Sequence, residues 1–167
     1  MTHVLVVADT HIRRGSSRTL PPAVYEHATD ADVILHAGDV LVGEVLADLA
    51  RFAPVHAVLG NNDPELTRHL PETLQLELDG LTVAMVHDSG QRKGRARRLA
   101  RWFPEADVVV FGHSHIPVNE AGASRQWLLN PGSPTERRRQ PHHTVATFWA
   151  TDGQLLEPRI HVVSRPS

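Results

Sequence analysis

Gly112-His113-Ser114-His115 stands directly after the apolar run of residues 106–111, and this stretch decides how the rest of the chain is interpreted. A run of that length that is rich in valine predicts a buried strand. Residues i and i+2 of an extended segment project on the same side, so the side chains of His113 and His115 can point at one place. Two imidazoles that close can bind a metal ion, whereas an isolated His-x-His pair is more often a solvated surface loop.

Four further apolar runs end in the same way, in side chains that bind metals. These runs cover residues 2–8, 33–37, 55–59 and 81–86. In open α/β sheets, ligands bind outside the carboxyl ends of parallel strands, because the loops there meet in one crevice. Each polar residue that follows one of these runs would, by itself, be an ordinary turn residue or a buried polar residue. Their shared position at the ends of strands instead predicts that they form one metal site. Its candidate ligands are Asp9, His11, Asp39, Asn61, His87, His113 and His115.

The composition of the chain limits its class. We expect a single domain over residues 1–167, because a chain of this length can bury roughly 70% of its unfolded surface. The formal net charge of -2 argues against attraction of the whole surface to nucleic acid or membranes. The sequence has no cysteine, so any metal ion must take nitrogen and oxygen ligands. No apolar run is long enough for a signal peptide or a membrane span, so we expect a cytoplasmic protein.

Helices and strands are predicted to alternate in the first half of the chain. The spacing of apolar residues and the proline signals indicate helices over residues 23–28 and 43–52. The polar and apolar alternation of residues 73–81, with Asp79-Gly80 as the turn, predicts a β-hairpin. Asp63 has two interpretations: it caps a helix that the following proline begins, which is favoured, or it belongs to the catalytic set.

A basic helix is predicted over residues 93–103. Its outward face is expected to carry arginines only, namely Arg95, Arg97, Arg98 and Arg101. Arg92 and Lys93 lie at the positive end of this helix's dipole, where cations repel and a bound anion would relieve the repulsion. Both residues are therefore candidates for binding an anionic substrate.

The remaining segments are β in character. Residues 126–129, 143–150 and 155–163 are rich in β-branched or aromatic residues and are separated by turn signals. We expect them to form a second sheet that packs on the first. His142-His143 ends no strand, and we predict that it lies on the surface.

These motifs, in this order and spacing, resemble those of the calcineurin-like metallophosphoesterase family. Asn130-Pro131-Gly132-Ser133 is similar to a turn in the small bacterial and archaeal phosphodiesterase branch of that family. The resemblance implies an α/β fold, a four-layer α/β sandwich of two mixed β-sheets flanked by helices, with two metal ions at the strand ends. It assigns one ion to Asp9, His11, Asp39 and His115, and the other to Asp39, Asn61, His87 and His113, with Asp39 as the bridge.

Mixed imidazole and oxygen ligands suit several divalent ions. Manganese is favoured, and iron, zinc, nickel and magnesium stay open. In the expected mechanism, a metal-bridging hydroxide attacks phosphorus in line, and the two ions neutralise the charge that develops in the transition state. Asn62 and Asp63 are the candidate catalytic residues. Candidate contacts to a small phosphorylated substrate are Asn62, Arg13, Arg14, Arg92 and Lys93.

Two positions depart from the family pattern. Many members have histidine where this chain has Asn62, and an amide can donate a hydrogen bond but cannot transfer a proton at neutral pH. Leaving groups of low pKa therefore become the favoured substrates. Asp88 stands where the family often has glycine; it either orients a ligand imidazole or turns the loop, and the loop is slightly preferred.

Three other functions stay open from the sequence. The first is a scaffold or interaction protein on the same fold, as in the retromer subunit that resembles this branch. The second is a nucleic-acid-binding module that uses the basic helix and residues 137–139, although that face lacks aromatic side chains for base stacking. The third is a phosphomonoesterase or dinucleoside polyphosphate hydrolase. The physiological substrate, the native metal and the oligomeric state, homo-oligomers included, are also open.

Overall fold

The computed structural model describes residues 1–165, so residues 166–167 of the expected domain lie outside the described part. Ten strands are present in the described part. They are β1 (Thr2–Val7), β2 (Val33–His36), β3 (Val55–Ala57), β4 (Thr73–Leu78), β5 (Leu81–Val86), β6 (Val108–Val110), β7 (Val118–Ala121), β8 (Trp127–Asn130), β9 (Thr144–Thr151) and β10 (Gln154–Val162). The helices are α1 (Pro22–Thr29), α2 (Gly43–Leu49) and α3 (Arg95–Trp102), with a 3-10 turn at Pro64–Leu66.

The strands form two five-stranded sheets, each with a parallel centre. The first sheet has the order β10-β9-β1-β2-β3, and the second has the order β4-β5-β6-β8-β7. Strands β1, β2 and β3 run parallel to one another, as do β5, β6 and β8, while the outer pairings are antiparallel. Both sheets are therefore mixed, as expected.

The main core lies between the two sheets. Val4 and Val6 of β1 pack there in one fully buried cluster with Val83 and Met85 of β5. The alternate residues of β1 point the other way and pack with α1 and α2, so this strand is buried on both faces. Helix α3 covers the far face of the second sheet through Leu99. The order of layers is helix, sheet, sheet, helix, which confirms the four-layer sandwich.

The prediction that residues 126–129, 143–150 and 155–163 form a second sheet of their own is wrong. Strand β8 pairs with β6 in the second sheet, whereas β9 and β10 join the first sheet, where β9 pairs antiparallel with β1. The physical reason is that β9 has two apolar faces: Phe148 fills the space between the sheets, and Val145 packs towards the helices. The sequence pattern also did not predict β7, a short polar edge strand.

Helix α1 is slightly longer than predicted, whereas α2 and α3 are shorter. Helix α3 begins at Arg95 because Gly94, with φ 75°, adopts a left-handed conformation at its N-cap. The prediction that Arg95 and Arg98 point outward is wrong: the Arg95 guanidinium lies 5.0 Å from the centre of the Phe111 ring, and Arg98 Nε donates to Ser89 O at 2.7 Å. Long arginine stems cover apolar surface in this way.

Within residues 1–165, the helices are all too short or too polar to cross a bilayer.

The predicted β-hairpin is confirmed. Strands β4 and β5 pair antiparallel from Thr73 opposite Val86 to Leu78 opposite Leu81. Asp79 and Gly80 form the turn with φ of 49° and 82°. Positive φ at both central residues is the turn geometry that matches the twist of the flanking strands.

His36, the last residue of β2, makes the stability of the metal-free protein depend on pH. It is fully buried; its Nδ1 accepts from Gly38 N and its Nε2 bonds to Thr10 Oγ1, both at 3.1 Å. Burial lowers the pKa of His36 to about 4. The unfolded state therefore binds more protons between this value and about 6.5, and stability should fall by up to about 3 kcal/mol as pH drops through that window.

Urea unfolding in the presence of a chelator measures this effect. The His36→Gln variant cannot titrate at this position, so its free energy of unfolding should change less between pH 6.5 and pH 4. Equal pH slopes for the variant and the wild type would show that His36 is not the group responsible.

Candidate metal centre

The parallel strands of the two sheets end at one common edge. From the first sheet, Asp9 and His11 follow β1, Asp39 follows β2, and Asn61 follows β3. From the second sheet, His87 follows β5, and His113 and His115 follow β6. The structure thus brings the seven candidate ligands, which come from five strand ends, to one region.

Two carboxylates lie buried between three imidazoles. Asp9, His11 and His115 form one group whose nitrogen and oxygen atoms lie within 4.8 Å of one another, and Asp9, Asp39 and His87 form a second such group. Asp9 Oδ1 is 3.5 Å from His115 Nε2. Asp39 Oδ2 is 3.3 Å from His11 Nε2 and 3.4 Å from His87 Nε2. Both carboxylates therefore lie between imidazoles of the two groups, and Asp9 is shared by them.

The hydrogen bonds of His87 fix its ring so that Nε2 faces the other candidate ligands. Its Nδ1 donates to Ala37 O at 2.7 Å, which assigns the proton to that nitrogen. His87 Nε2 then faces Asn61 Oδ1 at 3.0 Å and Asp39 Oδ2 at 3.4 Å. Two acceptor oxygens around this nitrogen favour a positive charge there, either a proton on Nε2 or a metal ion bound to it. This arrangement fits a divalent ion.

His115 shows the same arrangement on the other side. Its Nδ1 bonds to the backbone oxygen of Glu136, which leaves Nε2 pointing at Asp9. In residues 1–165, His115 Nε2, His11 Nε2 and Asp9 Oδ1 are buried without a hydrogen-bond partner. Metal-binding histidines usually donate their second N–H to a carbonyl or carboxylate in this way. The unpaired atoms and the donor set both fit divalent cations.

Asn61 and His113 complete the open side of the site. Asn61 Oδ1 is 3.2 Å from His113 Nδ1, and the His113 side chain is 44% exposed. The backbone N of His113 donates to Asp9 Oδ2 at 2.9 Å, which ties this loop to the carboxylate. Asp88 Oδ1 accepts from Gly90 N at 2.8 Å, so its contact within hydrogen-bond distance is the loop contact; its other oxygen is 3.8 Å from His113 Nε2.

The buried charges shift the pKa values of the cluster. Burial lowers the pKa of His11, but the carboxylates of Asp39 and Asp9 outweigh burial and raise it to about 9. For Asp39, burial favours a higher pKa, yet His11 and His87 hold the pKa of this carboxyl well below its usual range. Asp39 also outweighs burial at His87 and raises its pKa, whereas burial lowers the pKa of His115. The cluster thus attracts positive charge.

Five of the seven candidate ligands have a left-handed backbone. The φ values are 55° for Asp9, 45° for His11, 58° for Asp39, 72° for His113 and 62° for His115. Such conformations cost about 1–3 kcal/mol each for residues other than glycine, and they concentrate at functional sites. The fold therefore holds these side chains in place at a cost to its own stability.

Asp63 does not cap the 3-10 turn, so the favoured interpretation is wrong. Its carboxylate instead accepts three backbone N–H groups, from Asp39 at 2.9 Å and from Leu41 and Gly60 at 2.7 Å each. The residue is 2% exposed. The loops after β2 and β3 approach so closely that a Cβ at Gly60 would lie 2.1 Å from Asp39 Oδ1. Asp63 is a positioning residue that holds these two loops together.

Asn62 contacts the carboxylate of Asp39 directly. Its backbone N donates to Asp39 Oδ1 and its side-chain Nδ2 donates to Asp39 Oδ2, both at 2.9 Å. Together with His11, Asn61 and Arg13 it lines an open pocket of about 660 Å³ beside the cluster. The structure therefore places Asn62 between the candidate ligands and the space that a substrate would enter.

The four cationic candidates for substrate binding lie in different places. Arg13 and Arg14 line the pocket beside the cluster, but Arg14 pairs with Glu44 at 2.8 Å and Glu65 at 3.1 Å. Arg92 and Lys93 line a separate cleft beside α3. Of these four candidates, Arg13 is thus the one that lines the pocket beside the candidate ligands without an ion pair within residues 1–165.

A sixth strand end also supports the site. After β8, Asn130 Nδ2 donates to Gly112 O at 3.0 Å, and Ser133 Oγ donates to Asp9 O at 2.7 Å. Glu136 Oε2 lies 3.6 Å from His11 Nδ1. Residues 126–129 were predicted to be β in character, but Asn130 to Ser133 were predicted only as a turn and not as part of the site. Glu136 lies in a loop, and no pattern in the sequence marks it.

The fold and the site together define an α/β sandwich with a carboxylate and imidazole centre suited to divalent cations. The model of the calcineurin-like phosphoesterase superfamily domain matches residues 2–153. The chain belongs to this family of metal-dependent phosphoesterases. A probable metallophosphoesterase of Methanothermobacter thermautotrophicus is 36% identical over 159 residues, which cover 93% of this chain and 89% of that protein.

Two solved structures show the same fold at lower identity. Vps29 from Entamoeba histolytica, solved in complex with Zn²⁺, matches with a TM-score of 0.76 and 21% identity, over 95% of this chain and 97% of the other. A novel archaeal phosphodiesterase matches with a TM-score of 0.71 and 19% identity, over 96% and 99% of the two chains. At these identities the likeness concerns the fold.

Proposed function

We propose that the protein is a phosphodiesterase that uses two divalent metal ions, with manganese as the favoured metal. The observation that carries this proposal is that the Nε2 atoms of His87 and His115 face two buried carboxylates, those of Asp39 and Asp9. Membership of a metal-dependent phosphoesterase family supports it. The fold shared with the archaeal phosphodiesterase is consistent with diesters as substrates.

Each ion would have its own ligand set in this proposal. Asp9, His11, Asp39 and His115 would hold one ion, and Asp39, Asn61, His87 and His113 would hold the other. When bound, such a pair supplies Lewis-acid activation of water and neutralises negative charge on the phosphoryl group. The backbone carbonyls behind His87 and His115 fix which imidazole nitrogen faces the ions.

Asn62 and Arg13 would bind the substrate in the pocket beside the ions. Asn62 can donate hydrogen bonds to a phosphoryl oxygen, but it cannot protonate a leaving group at neutral pH. The proposed enzyme therefore acts best on diesters whose leaving group has a low pKa. Arg13 would bind the negative charge of the substrate through its guanidinium group.

A metal-dependent activity screen tests the proposal. The metal-stripped protein is assayed with manganese, zinc, iron, nickel and magnesium against bis-p-nitrophenyl phosphate, p-nitrophenyl phosphate, cyclic nucleotides and dinucleoside polyphosphates. We expect turnover that needs the metal and is fastest with the activated diester. Turnover of monoesters or polyphosphates alone would contradict the proposed substrate class, and the absence of turnover with every metal would contradict the enzyme itself.

Removal of the substrate-binding cations should raise KM more than it lowers kcat. Arg13→Ala should raise KM for the diester about tenfold, because a hydrogen bond to a charged group contributes about 1.5–3 kcal/mol. The double variant Arg92→Ala/Lys93→Ala should also raise KM if these residues bind the substrate. Arg97→Ala, an exposed change on α3, is the matched control. An unchanged KM in either variant would remove that residue or pair from the substrate site.

A scaffold or interaction protein is the second candidate, favoured by the fold shared with Vps29. This alternative predicts that the chain binds metal but hydrolyses none of the substrates in the screen. The same measurement therefore separates the two functions, provided that metal content is determined on the assayed sample.

A further inference from the structure

A second cleft, with a basic lining, lies on the other side of the loop that follows β1. It has a volume of about 830 Å³, and we call it the basic cleft. Its charged and titratable lining residues are Arg18, Arg137, Arg165, His142 and His143. Within residues 1–165, no aspartate or glutamate is among the residues that line it. The prediction that His142-His143 lies on the surface holds for His142, whereas His143 is half-buried in this cleft.

The arginines of the basic cleft keep an excess of positive charge. In the part of the chain that the structure describes, Arg137 and Arg165 form hydrogen bonds with neutral oxygens and no ion pair: Arg137 donates to Gln140 O at 2.7 Å, and Arg165 donates to Thr19 Oγ1 at 2.6 Å. Arg18 is 3.8 Å from one carboxylate, that of Glu136. Three cations with one distant counter-charge create a positive potential that a concave surface concentrates.

The walls of the basic cleft are fixed before any ligand binds. His143 N donates to Ser164 Oγ at 2.8 Å, and Val163 N donates to His143 O at 2.8 Å. Pro134 and Pro141 stand on either side of the loop that carries Arg137. Burial and then the charges of Arg137 and Arg18 lower the pKa of His143, as expected beside two cations. A preformed cleft of this kind binds a ligand without ordering its own chain.

We propose that the basic cleft binds a phosphate group through Arg18, Arg137 and Arg165. Guanidinium groups match phosphate oxygens with paired hydrogen bonds, and serine and threonine hydroxyls in the lining can donate further ones. The phosphate is either a free anion or the terminal phosphate of a substrate that also reaches the metal centre. The second source rests on the proposed function, whereas the first does not.

The basic cleft is joined by hydrogen bonds to the loop that follows β1. Arg18 Nη1 donates to His11 O at 3.1 Å, and Thr135 Oγ1 donates to Thr10 O at 2.5 Å. One wall of the basic cleft is therefore bonded to the backbone that carries the candidate ligands after β1. Arg13 beside the metal centre and Arg92 and Lys93 beside α3 offer phosphate other cations, so the residues whose amides shift and the effects of the Arg137 and Arg165 variants identify the basic cleft.

Titration of the metal-free full-length chain with inorganic phosphate, at constant ionic strength and followed by ¹H–¹⁵N NMR, tests the proposal. We expect saturable shifts of the amides of Thr135, His143 and Ser164. Arg137→Gln and Arg165→Gln should each weaken binding at least tenfold. Arg139→Gln removes the same charge two residues from Arg137 but outside the cleft, and it should bind like the wild type. Equal affinity of Arg137→Gln and Arg139→Gln, or shifts centred on Asn61 and His87, would overturn the proposal.

Kinetics of the metal-loaded enzyme then separate the two sources. Two diesters are compared, one of which carries an additional terminal phosphate. A tenfold rise of KM in Arg137→Gln for the phosphate-bearing diester alone assigns the basic cleft to a substrate phosphate. Unchanged KM values, together with lost phosphate binding, assign it to a free anion. If the protein hydrolyses neither diester, the proposed function fails, but the titration still decides the proposal.

Discussion

Asp39→Asn is expected to reduce metal-dependent diester hydrolysis about a thousandfold, which corresponds to about 4 kcal/mol of transition-state stabilisation. Asp39 Oδ2 lies within 3.4 Å of an imidazole nitrogen of each group, so its charge acts on both proposed ions. The substitution keeps the shape of the side chain and removes that charge. Metal content, measured by mass spectrometry on dialysed protein, should fall from two ions per chain to one or fewer.

The matched control for this variant is Asp88→Asn. Asp88 is an exposed carboxylate close to His113 but outside both three-residue groups. The same chemical change there should leave the metal content at two and lower the rate less than tenfold. An Asp39→Asn variant that keeps two ions and full activity would show that this carboxylate is not a metal bridge.

Asp63→Ala is expected to lower the free energy of unfolding by about 3–5 kcal/mol. The variant removes a buried carboxylate and leaves the N–H groups of Asp39, Leu41 and Gly60 without their acceptor. Each buried donor that loses its partner costs about 1–3 kcal/mol. A helix N-cap would lose only about 1 kcal/mol on the same change, so the size of the effect separates the two roles. Urea unfolding in the presence of a chelator measures it.

Metal affinity gives a second measurement for Asp63. The residue touches no candidate ligand atom directly, but it holds the backbone of Asp39 and of the loop that carries Asn61. Loss of this support should weaken metal binding by about 10- to 100-fold, as for other outer residues of metal sites. Asp88→Ala serves as the control, with a stability change below about 1 kcal/mol and unchanged affinity. Equal destabilisation by the two substitutions would contradict the positioning role.

The positive φ values at the candidate ligands carry a consequence for stability. Asp9 and Asp39 combine a left-handed backbone with a buried carboxylate. Strain and buried charge oppose folding, so the metal-free protein is less stable than its packing allows. Divalent ions that bind only the folded state reverse part of this loss by mass action.

The ends of the strands were predictable because their signals are local. The apolar run of β6 and the histidines that follow it are contiguous in the chain, as are the run of β1 and Asp9. The turn at Asp79-Gly80 is equally local, since its residue types alone favour the backbone conformation that the hairpin needs. The prediction that Asp63 caps a helix was wrong. Aspartate is the preferred residue type for a helix N-cap, and it can equally accept hydrogen bonds from the backbone of another loop, so the residue type alone does not separate the two roles.

The sequence by itself determined nine of the ten strands within residues 1–165 and which metal-binding side chains stand at their ends, because period and turn chemistry act between neighbouring residues. The tertiary structure alone decided that β9 and β10 join the sheet of β1, that Arg18 and Arg137 line one cleft, and that Asp63 joins two loops. These arrangements depend on which apolar faces pack together, and the residues on those faces are far apart in the sequence. The packing also brings distant polar groups together, as in the hydrogen bond from His113 N to Asp9 Oδ2, which joins residues 104 positions apart. No local pattern carries that information, because the free energy that selects it comes from burying whole faces at once.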